Sequence, residues 1–70
     1  MVQIFKTNVK KRKQAQLIVL LLQRQFPSLA VNFDLEDCDR ILRVQGDDIC
    51  CQSIISEMQL FGYACEHYPG

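Results

Sequence analysis

The sequence predicts an α+β fold, a single antiparallel four-stranded sheet with two helices on one face, and three observations carry it. Two strand-like halves match around Cys38-Asp39, two helix-periodic stretches flank that pair, and further strand-like stretches open and close the order. The elements therefore run β-α-β-β-α-β.

Val2–Val9 is rich in β-branched and aromatic residues, as strands are. Val2 and Ile4 fall on one side and Phe5, Thr7 and Val9 on the other, which suits a central strand. The basic run Lys10-Lys11-Arg12-Lys13 leads into a helix that ends at Phe26, because a residue before proline avoids the helical region. At about 100° per residue, Ala15, Ile18, Val19, Leu22 and Phe26 form one stripe, which is expected to face the sheet. Leu17, Leu20 and Leu21 fall beside it and form a candidate interaction surface. The plainer alternative has Leu21 tucked against the second helix and the other two as ordinary exposed leucines.

Val31–Gly46 reads as a hairpin. With Asp37 facing Arg40, Leu35 meets Leu42, Phe33 meets Val44 and Val31 meets Gly46 on one face, while Asp34 meets Arg43 and Asn32 meets Gln45 on the other. Gly46 breaks the strand and Asp47 or Asp48 is expected to cap a second helix. Cys51, Ile54, Ile55, Met58 and Phe61 share a face of that helix, with Cys50 on its edge. Gly62 fits a left-handed cap, and Tyr63–Tyr68 alternates as a last strand. This order is the split βαβ pattern of ferredoxin-like folds, which right-handed crossovers build into a sheet of order 4-1-3-2. Lys10–Lys13, the tip Glu36–Asp39 and Gly62–Tyr63 then share one end, so a basic loop adjoins an acidic tip.

At 70 residues the chain is expected to hold one domain, residues 1–70. Its 49% hydrophobic and 23% charged content is globular, and 8 basic against 8 acidic residues leave no net field for nucleic acid or membrane. The apolar run Leu17–Leu22 is too short for a signal peptide core or a membrane span. Four cysteines, two of them adjacent, lack the spacing of a disulfide framework, which points to a reduced, cytoplasmic protein. Cys38 sits between acids that raise a thiol pKa, and Cys51 lies on a core face. His67 has no companion at ligand or triad spacing and is expected at the surface. The acidic tip lacks the glycine and the final carboxylate of a calcium loop, and Arg40–Val44 lacks the stacking aromatics of an RNA-binding sheet. No catalytic residue, metal ligand set or cofactor is expected, and the chain reads as a non-enzyme.

The start of the first helix after Thr7-Asn8-Val9, the Phe26-Pro27-Ser28-Leu29 junction and the closing Phe61-Gly62-Tyr63-Ala64 make nearly the whole chain resemble a heavy-metal-associated domain, the copper-chaperone family. That family carries Met-x-Cys-x-x-Cys where strand one meets helix one. Here Val9 stands at the methionine, and Lys11 and Gln14 stand near the cysteines. Neither is a soft ligand, so the resemblance implies the fold without the metal chemistry. The expected function is a small interaction module binding itself, as a weak homodimer, or a protein partner. Two alternatives accompany it: an anion held by Lys10, Lys11 and Lys13 at a helix N-terminus, and a metal bound through a cysteine site unlike the family's.

Overall fold

In a computed structural model, residues 1–36 and 40–68 are described. They form β1 (Val2–Thr7), α1 (Arg12–Gln25), β2 (Ala30–Asp34), β3 (Ile41–Gln45), α2 (Cys51–Leu60) and β4 (Cys65–Tyr68). The sheet is antiparallel throughout, in the order β2-β3-β1-β4, which is the expected 4-1-3-2 read from the other edge.

Strand alternation decides which residues meet the helices. Phe5, Val31, Leu42 and Val44 point into one cluster with Ala15, Ile18 and Leu22 of α1 and Ile54 and Met58 of α2. Both helices therefore pack on the same face, over the central strand β1. Val2 and Ile4 lie on the open face, where β1 pairs Ile4 with Arg43 and Tyr68. Lys6 Nζ there sits 4.6 Å from the Tyr68 ring centroid, a favourable cation–π contact.

Pro27 ends α1 as expected, with Phe26 as its C-cap, and Leu29 N–H donates to Phe26 O at 3.0 Å across the tight turn. Gly62 takes φ +92, the left-handed conformation that suits glycine after a helix. Gly46 is favoured by space instead: a Cβ there would force the tip of the buried Leu29 side chain to shift.

Three expectations are corrected. The β2–β3 register is slid by two residues, so that Phe33 meets Leu42, Val31 meets Val44, Asn32 meets Arg43 and Asp34 meets Ile41. A slide of two keeps every side chain on its face, so the apolar alternation cannot choose between the registers. Local polar bonds do choose: Asp34 Oδ1 accepts from Glu36 N–H at 3.2 Å, and Arg40 leaves the ladder with φ 51. The expected Asp37–Arg40 pairing and the acidic character of the tip at 37–39 lie outside the described residues. The second correction is the α2 cap, which is Cys50 rather than Asp47 or Asp48. Ile49 packs against the core just before it, and this delays the helix. Third, His67 is half-buried rather than superficial, because its pairing with Phe5 turns it toward the helices.

Candidate interaction surface

The edge strand β2 and the flank of α1 enclose an open cleft of about 860 Å³. Arg12, Gln16, Val19 and Leu20 form its helix wall; those positions fall three or four apart, and so share one side of α1. Val31–Glu36 form its floor, and Arg43 reaches it from β3. The lining is mixed, apolar along Val19, Leu20 and Phe33 and charged at Arg12, Asp34, Glu36 and Arg43.

One side chain organises the strand edge. Gln23 Nε2 donates to Leu29 O at 2.6 Å, and Val31 N–H donates to Gln23 Oε1 at 2.9 Å. The carboxamide thus occupies the place of a neighbouring strand's peptide, satisfying two edge groups that would otherwise seek a partner.

Of the three leucines singled out from the sequence, Leu17 and Leu20 are 58% and 63% exposed, while Leu21 is half-buried and lines a small recess with Phe61. Leu20 belongs to the cleft rim, and Leu17 stands near it on the outer face. Leu21 takes the role of a contact between the helices. Sequence periodicity missed the cleft because it lies between α1 and the edge of β2, two elements brought side by side only by the fold.

The basic loop sits at the other functional candidate. Lys10, Lys11 and Lys13 are all exposed. Lys11 is the N-cap of α1, and its N–H donates to Gln14 Oε1 at 3.3 Å. Arg40 Nη1 donates to Leu35 O at 3.3 Å and to Lys10 O at 3.5 Å, tying the loop to the hairpin. Arg40 holds a left-handed conformation, which costs a non-glycine residue roughly 1–2 kcal/mol. Its carbonyl offsets this by accepting from both Thr7 N–H at 3.2 Å and Thr7 Oγ1 at 2.7 Å.

The positions that would carry the copper-chaperone ligands have other work. Val9 is fully buried in the core and Gln14 serves the helix cap. Among the described residues no three histidine, cysteine or acidic side chains gather to hold a metal ion. Cys65 faces the helices, where burial, with a smaller contribution from the Cys51 charge, pushes its thiol up to about 12. Cys50 is exposed, and the Ser53 side chain and N–H lower its pKa by hydrogen bonding to the thiolate. Cys38 lies outside the described residues. His67 donates from Nε2 to Gln3 Oε1 at 2.7 Å, and its ring lies tilted at 46° to the Phe5 ring with centroids 5.4 Å apart, contacts that hold β4 to β1. No helix among the described residues is long and apolar enough to cross a membrane.

No protein-family model, curated protein or solved structure matches the chain.

Proposed function

We propose that this chain is a small non-enzymatic interaction module of ferredoxin-like topology, a metal-free relative of heavy-metal-associated domains, and that it binds itself or a protein partner. The observation that carries this reading is exposed Leu20 on the rim of the β2 cleft, with exposed Leu17 three residues before it on α1, since an apolar helix face beside a strand edge is suited to polypeptide. A helix lying on a sheet buries a stripe of about 100° or somewhat more, and the run Leu17–Leu22 exceeds it. Fully burying one leucine is worth roughly 1.5–3 kcal/mol, enough for two such residues to support a weak contact.

Amide shifts of the labelled domain, followed from micromolar to millimolar protein and then with added phosphate, test the reading. Concentration-dependent shifts along Leu17, Leu20 and β2, lost in Leu17→Lys/Leu20→Lys, are expected. Saturable phosphate shifts at Lys10, Lys11 and Lys13, with no response to concentration or to the leucine changes, would replace it by an anion-binding module.

A further inference from the structure

Among the described residues, edge strand β2 has a specific set of backbone groups left for a partner. Val31 N–H points away from β3, toward Gln23, so the N–H and C=O of Phe33, two residues on, point the same way. Gln23 takes Leu29 O and Val31 N–H, and Arg40 takes Leu35 O, while Val31 C=O stays on the outer edge beside Phe33. Phe33 stands between these closed points. A residue offering both a donor and an acceptor is complementary to itself about a two-fold axis, because each N–H then meets the other's C=O.

Building on the interaction reading above, we propose that a second copy of this chain docks on β2, antiparallel, with Phe33 opposite Phe33 of the other copy, extending the sheet to eight strands. The charges fit this register. With Phe33 on the axis, Asn32 lies opposite Asp34 of the other copy, and Arg43 lies beside Asn32 on the same open face. Arg43 is then two strand spacings, about 10 Å, from that aspartate, a gap that an arginine and an aspartate side chain reach across together. The two-fold makes the pair twice. On the helix side Phe33 meets its counterpart and Leu20 overhangs the seam from each copy. Pairing stops where Gln23 fills the edge and where β2 ends at Asp34, so the seam is short and the dimer weak.

Sedimentation equilibrium of Asp34→Lys, Arg43→Asp and their equimolar mixture, beside the wild type, reads contacts between copies directly. Each reversal alone places like charges across the seam and is expected to weaken dimerisation at least about tenfold. In the mixture one interface holds two attractive pairs, and dimer is expected to return as a heterodimer near wild-type strength. Circular dichroism of each variant establishes that it folds, and Arg43→Gln, a neutral change at an exposed position, gives an intermediate loss that does not depend on the reversals folding. A wild type that stays monomeric to millimolar concentration overturns the proposal. So does dimerisation that ignores all three changes; if that dimer is still lost in Leu17→Lys/Leu20→Lys, self-association through α1 stands and only the β2 seam fails.

Discussion

Cys50 and Cys65 show how one residue type acquires two chemistries from its surroundings. The exposed Cys50 thiol has a lowered pKa, and the inward Cys65 thiol is raised from 9.0 to about 12. Iodoacetamide at pH 8.5 is expected to modify Cys50 well before Cys65, as peptide mapping would show; equal rates would contradict the placement of β4. The raised Cys65 pKa means the folded state keeps a proton that the unfolded chain releases. Its contribution is therefore complete below pH 9 and is lost as pH rises toward 12. Wild type should lose thermal stability over that window more steeply than Cys65→Ala. The alternation of Tyr63–Tyr68 made β4 legible as a strand, but not which of its sides faces the helices. A polar residue such as His67 suggests solvent until its partner, Gln3, is known.

At the scale of elements, Gln23 is the side chain whose role sequence periodicity could not reveal. It falls beside the apolar stripe of α1 as an ordinary polar position, and only the approach of β2 gives its carboxamide a task. Gln23→Ala is expected to cost about 1 kcal/mol in urea unfolding and to speed native-state hydrogen exchange at Val31. An unchanged exchange rate there would show that Gln23 does not close the edge. The hairpin illustrates the same boundary from another side. Its faces followed from alternation of Val31, Phe33, Leu42 and Val44, whereas its partners depended on the Asp34 turn and the left-handed Arg40. Those are local polar effects of about the size of one hydrogen bond, too small to stand out in an apolar pattern.

For the whole molecule, strand order and helix placement were legible because crossover handedness leaves few ways to arrange β-α-β-β-α-β. The interaction cleft was not, since it joins α1 to a strand edge defined only after folding. Copper(I) titration of the reduced protein is expected to show no stoichiometric submicromolar complex at the loop after β1, where Val9 is buried and Gln14 serves as a cap. A tight complex that survives replacement of all four cysteines by serine would overturn this.

The central place of β1 also sets an order on folding. β1 is hydrogen-bonded on one side to β3 and on the other to β4, the strand farthest from it in this sequence. Its two neighbours thus come from far along the chain, and Gln3 waits for His67 across 64 residues. Loop closure must precede the contacts that reward it, which slows folding relative to a helical bundle of the same length. On a ribosome the β1–α1 segment emerges with its apolar faces uncovered until β3 follows, and the sheet completes only once β4 has emerged as well.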